Sequence, residues 1–473
     1  MSPSASYKPG DTALILGATE GMSSFVSSLL KDPASLHAIS TISIENPDRT
    51  GETGDEEEAR LGRPQEEFDA DMAEFSRSLI ALLDAIHQGG KLKAFKWTGE
   101  TLGAKTRRPV EFWPALWKHA NTLEKLELDF CVREVENFIP PSTPIPLLTT
   151  LRLDVGSAHG DNGSTLNPLL AACPAVKNLT LSLPTCDLEG CRIQKLDWAW
   201  TYPALTTLSL SVFSEPFAPV TAFLARHPGI ATLTWGADTD WNETTEADAL
   251  PSTILPNLTA LNVNSRPSGL DALLSEEAGR NITHFRDAYF GPSAEIFKIA
   301  AALRCLELQP HCRSWRPEDP LDSDDSDEPE DPGERAPGRL AALLPKLPEL
   351  QELAVEFDTG AAFYRWGPEN AFQNAPAMDA RDLESVIEIL PAESKLRVLR
   401  VVDDRAEELG VGEVDFRGVP VGLEYIKWEG KRRVLYKLER EEGGVRLVEC
   451  QEGLRVVGTE EKGGWTEGRV LVF

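Results

Sequence analysis

TLEKLELDF at residues 122–130 and LLTTLRLDV at 147–155 share one spacing: an apolar residue, two variable residues, an apolar residue, one variable residue, an apolar residue. Working outward, the spacing returns at Val176/Leu179/Leu181, Leu205/Leu208/Leu210, Ile230/Leu233/Trp235 and Leu258/Leu261/Val263. It returns again at Leu303/Leu306/Leu308, Leu350/Leu353/Val355 and Leu396/Leu399/Val401. Fainter copies stand at Leu92/Phe95/Trp97 and Leu423/Ile426/Trp428. Two apolar residues two apart share one face of a strand. Self-similarity at a few tens of residues signals a solenoid, in which stacked copies pair their strands and bury one apolar row. The middle positions 126, 151, 179, 208, 233 and 261 step by 25, 28, 29, 25 and 28, and the step from 306 to 353 is 47. A Rossmann-type β-α-β alternation would not predict the same hexapeptide each time.

The stretches between copies have helical spacing and end at helix stops. Residues 217–227 read FAPVTAFLARH before Pro228-Gly229, and 381–390 read RDLESVIEIL before Pro391. Residues 294–303 and 339–347 have the same character, with Pro345 distorting the latter. The expected fold class is α/β: an irregular leucine-rich-repeat solenoid with a parallel sheet on the concave side, helices on the convex side and a C-terminal β-meander cap. Residues 1–91 form an N-terminal cap with a degenerate first repeat, an acidic linker and a helix. Residues 92–429 form the solenoid, and 430–473 the β cap, which covers the solenoid's open end.

The formal net charge is −29, and residues 318–334 contain ten acids and no base. That segment reads as a disordered acidic insert within one repeat. Such a charge opposes binding to nucleic-acid phosphates. The chain has no apolar run long enough to span a membrane and no segment built like a signal peptide. Its seven cysteines are odd in number and scattered, which favours a reducing cytoplasmic or nuclear setting. Asn-x-Ser/Thr sequons occur at Asn162, Asn178, Asn242, Asn257 and Asn281; Asn178 and Asn257 fall where a repeat core is expected, so a glycan there would clash.

Templates for chemistry fit poorly. Gly17 and Gly21, after the strand-like run 13–16, resemble the start of a dinucleotide fingerprint, with Glu45 closing the next strand, but the third glycine is missing. There is no Gly-x-Ser-x-Gly and no phosphate loop. Asp322-x-Asp324 begins like a calcium loop but has Asp327 where Gly is needed. Cys305, His311 and Cys312 have no second pair at zinc spacing. His119 and His227 read as helix-closing residues, with His227 placed where a positive charge suits a helix C-terminus. No catalytic, cofactor-binding or metal-binding residue is nominated.

The outward strand positions carry the functional expectation. They run from charged residues at Glu127, Asp129, Arg152 and Asp154 to Thr180, Ser182, Ser209, Ser211, Asn262 and Asn264. Neighbouring copies place them side by side, so a protein partner is expected on Asp129, Arg152, Asp154, Ser182, Ser211 and Asn264, with Arg152 as anchor.

The stretches FWPALWKHANTLEKLELDF (112–130), YPALTTLSLSVF (202–213) and GLEYIKWEGKRRVLYKLER (422–440) resemble the repeat regions of fungal F-box and leucine-rich-repeat proteins. The resemblance runs from about residue 92 onward; residues 1–44 do not resemble an F-box. It implies a non-enzymatic protein-interaction scaffold. Its alternative implication is a substrate-recognition subunit of a cullin-type ubiquitin ligase; a nucleotide-dependent enzyme with its site at Gly17–Gly21 is the reading from another class.

Overall fold

The structure is a computed structural model. It describes residues 5–6, 13–17, 22–45, 65–98, 109–130, 138–155, 163–183, 196–212, 217–236, 251, 253–263, 273–274, 279–287, 299–308, 336–356, 379–403, 406–407, 409, 419–441 and 444–450. The insert 318–334, Gly21, Asn264 and the expected strands beyond residue 450 lie outside that set. The chain forms two compact units: Met1–Ile230 with Gly236–Asp248, and Ala231–Trp235 with Ala249–Phe473. Each is α/β with a mostly parallel open sheet, a solenoid-like arrangement.

The first unit holds β1 (Ala5–Ser6), β2 (Ala13–Gly17), β3 (Thr41–Glu45), β4 (Ala94–Thr98), β5 (Lys125–Phe130), β6 (Thr150–Val155), β7 (Asn178–Leu183) and β8 (Thr207–Val212). Strands β2 to β8 pair in parallel, each with the next in sequence, and β1 lies antiparallel on β2. Its helices are α1 (Met22–Leu29), α2 (Pro33–Ala38), α3 (Gln65–Gly89), α4 (Phe112–Trp117), α5 (Gly163–Ala171) and α6 (Phe217–Arg226). Helix α3 packs on α1, α2 and α4. Phe75 of α3 and Phe112 of α4 meet Trp97 of β4 edge-on, at 6.1 and 5.6 Å, which joins helices to sheet through a dry aromatic core.

The second unit holds β9 (Thr232–Gly236), β10 (Ala260–Val263), β11 (His284–Asp287), β12 (Cys305–Leu308), β13 (Glu352–Glu356), β14 (Val398–Val402) and β15 (Tyr425–Glu429), all parallel in sequence order. Strands β16 (Arg433–Glu441) and β17 (Gly444–Glu449) continue it antiparallel. Its described helices are α7 (Ala336–Leu343), followed by a 3₁₀ turn at Leu344–Lys346 that holds Pro345, and α8 (Ala380–Glu388). The Asp379 carboxylate caps α8, and Asp382 returns a bond to the Asp379 N–H.

One device sets the repeat. In the copies centred on Phe95 to Leu208 and on Leu261 to Ile426, the two N–H groups before the middle apolar residue donate to a single carbonyl of the previous copy. Glu124 and Lys125 donate to the Lys93 oxygen at 2.6 and 3.0 Å, and Thr149 and Thr150 to the Glu124 oxygen at 2.8 and 3.2 Å. In the second unit, Gln351 and Glu352 share the Arg304 oxygen, and Arg397 and Val398 the Gln351 oxygen. Thr149 and Thr206 add a hydroxyl donor to the same carbonyl. These bonds fix register, so the middle residues stack: Leu126, Leu151, Leu179 and Leu208 in the first unit, all 0–1% exposed. Leu233, Leu261, Phe285, Leu306, Leu353, Leu399 and Ile426 stack in the second, all buried. Within each unit, the leucines expected to form the buried row are thus stacked in register.

Two copies escaped the sequence pattern. Strand β2 is in register with β3 and β4, so the parallel ladder begins before residue 92. Strand β11 comes from Ile282-x-x-Phe285-x-Asp287, whose third position is an aspartate. The sequon Asn257 is exposed in a turn, not inside a core, because the copy buries Leu258 beside it.

Candidate functional site

The first unit brings five of the six nominated residues onto one sheet face. Asp129 pairs in register with Asp154, Asp154 with Ser182, and Ser182 with Ser211, one residue from each of β5 to β8. Arg152 belongs to the parallel row Glu127–Arg152–Thr180–Ser209. The alternate residues Leu128, Leu153, Leu181 and Leu210 are at most 3% exposed and fill the opposite face. Strand pleating therefore forces the polar set outward. Adjacent strands lie about 4.8 Å apart, so four strands spread these groups over about 14 Å.

Exposure is uneven across this face. Arg152 is exposed, and Asp129, Asp154, Ser182 and Ser211 are half-buried, whereas Glu127 and Ser209 are buried. The Arg152 Nη2 lies 3.6 Å from Asp154 Oδ2, and the Lys125 Nζ 2.8 Å from Glu127 Oε1. A solvent-exposed pair of the Arg152 kind contributes about 0–1 kcal/mol, so the guanidinium is cheaply redirected to another carboxylate. The face can therefore supply one bidentate cation, two carboxylates and a floor of hydroxyls.

The equivalent row of the second unit is different. Thr234, Asn262, Arg286, Glu307, Ala354, Arg400 and Lys427 stand in register, and all are buried. A water-facing polar strip was expected here; the structure instead has a buried ion ladder. Glu307 Oε1 lies 3.2 Å from Arg286 Nε, and its Oε2 lies 3.7 Å from Arg400 Nη1. Glu429 Oε1 takes both Arg400 Nε and Lys427 Nζ at 2.7 Å. Ala354 is the neighbour of both Glu307 and Arg400, and its single methyl leaves Arg400 room to reach across β13. Sequence reasoning missed the ladder. Its signal was the presence of charges of both signs, Glu307, Arg400 and Lys427, at the central position of strands whose neighbouring residues are apolar.

The histidines also differ from the expectation. His119 and His227 are 2% and 3% exposed. Burial lowers the pKa of His227, and that of His119 to about 4, so both rings are neutral at pH 7 and neither offers a helix terminus a charge. At the dinucleotide-like start, Gly17 is the register partner of Glu45, while residues 18–21 are outside the described residues. Among the described residues no group of three or more His, Cys, Asp or Glu side chains is placed to hold a metal ion. No described helix is long and apolar enough to cross a membrane. No protein-family model matches the chain, and no curated protein matches it.

Proposed function

We propose that this protein is a leucine-rich-repeat-type scaffold that binds a protein partner, without catalysis, through the outward face of β5–β8. The observation that carries the reading is the register of Asp129, Asp154, Ser182 and Ser211 on four consecutive strands, with exposed Arg152 beside them. Contacts on such a row add along the sheet, and an Arg that can leave a weak surface pair is a suitable anchor. The net charge of −29 favours a protein surface over nucleic acid. A cytoplasmic or nuclear location is part of this reading, in which the buried Cys173 and Cys305 act as small apolar groups.

The test is affinity purification from the native host followed by a binding titration. Arg152→Ala combined with Ser182→Arg is expected to weaken the recovered partner's affinity at least about tenfold with the thermal midpoint nearly unchanged. Unaltered affinity, together with loss of binding on changing the helical side, would remove this face from consideration. A cullin-adaptor subunit among the recovered proteins would favour the substrate-receptor reading.

A further inference from the structure

His227 follows α6 directly and spans two copies of the repeat. The Tyr202 main-chain N–H donates to its Nε2 at 2.8 Å. A main-chain N–H can only donate, so Nε2 carries no proton. The proton is then on Nδ1, which donates to the Phe223 carbonyl at 2.7 Å. Each nitrogen works in one direction, and only the neutral ring satisfies both.

That bond is part of how the turn 196–202 is fastened. Tyr202 Oη donates to the Leu170 carbonyl at 2.9 Å, and the Arg226 guanidinium donates to the Trp198 carbonyl. The rings of Trp198 and Trp200 pack on Phe223 at 5.4 and 6.5 Å. The charged and titratable groups around the ring are few. Arg226, at the end of the same helix, opposes a second positive charge. The Tyr202 hydroxyl and, beside it, the Cys173 thiol are kept neutral by burial. Asp197, the carboxylate of the turn, accepts from its own Ala199 N–H at 3.1 Å.

We propose that His227 is an acid-sensitive clasp: a solvent proton added at Nε2 puts a donor opposite the Tyr202 N–H and frees the turn 196–202 from α6. Burial and Arg226 both lower the ring's pKa, while the bond to the Phe223 carbonyl raises it. The unfolded chain therefore binds the proton more readily than the folded one, and the clasp weakens as pH falls below the ordinary histidine range. The turn leads into β8, which carries Ser211. A loosened end of the binding face would follow, and that consequence alone rests on the function proposed above.

Amide exchange on the full chain tests the clasp without any partner. Relative to intrinsic rates, protection of the Tyr202 amide is expected to fall at least about tenfold from about pH 7.5 to about pH 4.5. The Leu153 amide in β6 is the control, and its protection is expected to hold. In His227→Gln, whose side-chain carbonyl accepts without titrating, the Tyr202 drop should shrink to less than about threefold. Protection that is flat with pH, or that falls equally in the variant, overturns the proposal. Should the variant not fold, the His227 ring titrated by NMR in the natural chain decides: a midpoint at or above the ordinary value overturns it, and a lower one with coincident loss of Tyr202 protection supports it. Lost partner binding with a pH-insensitive Tyr202 amide would count against the clasp and leave the binding face standing.

Discussion

At the scale of single residues, burial decides more than identity. His119 donates from Nε2 to the Leu83 carbonyl of α3 at 3.0 Å and meets His87 edge-on at 5.4 Å. Its protonated form is disfavoured by burial and by His87, with a pKa lowered from 6.5 to about 4. The unfolded chain takes up this proton first as pH falls. The stabilisation is therefore complete above pH 6.5 and lost on descending towards pH 4, by about 3 kcal/mol at most. Urea unfolding of His119→Gln is expected to show a flatter pH profile in that window; an unchanged slope would remove His119 as its source. Leu208, 0% exposed in the middle of its row, should cost about 2–5 kcal/mol when changed to Ala, measured by the same unfolding curves. The leucines were legible in the sequence because apolar spacing reports which face is dry. The neutral histidines were not, because their state depends on carbonyls and amides supplied from 25 and 36 positions away.

At the scale of elements, the strands were legible and their outward faces only partly so. All nine strong copies of the hexapeptide became strands. Strand β11 was hidden because register with β10 and β12, not its own apolar content, holds Asp287 in place. The polar row reads alike in both units as sequence, yet β5–β8 carry an exposed Arg152 while β12–β15 bury Arg400. Removing one member of a buried pair leaves an uncompensated charge. Glu307→Gln, which strips the carboxylate from two guanidiniums, is therefore expected to destabilise the protein by about 3–5 kcal/mol, and Arg152→Ala by less than about 1 kcal/mol. Equal effects in denaturant titrations would show that the ladder is not the electrostatic core of its sheet. At the helix level, Asp379→Ala removes a reciprocal cap from α8 and should cost about 1 kcal/mol.

At the scale of the whole molecule, two units and a large negative charge set the behaviour. Like charges repel across the folded surface, so raising salt from about 20 to about 200 mM should raise the thermal midpoint by a few degrees. A lowered midpoint would mean that paired surface charges outweigh the repulsion. The acid-rich stretch 318–334 falls between β12 and β13, which nevertheless pair directly, Leu306 with Leu353. Loop length is thermodynamically cheap, so deleting that stretch should shift the midpoint by only a few degrees. The doubly accepting carbonyls carry a further implication. Copies differ in length from 21 residues, between Phe285 and Leu306, to 53, between Ile42 and Phe95, yet both pairs stand in register. Each copy is measured from its first shared carbonyl to the end of its strand and left unmeasured afterwards. The fold thus has a tolerant side and an intolerant side for insertions and deletions: sequence can be spliced in after any strand, whereas one residue gained or lost within Leu148–Leu153 would turn every following side chain of that strand to the wrong face.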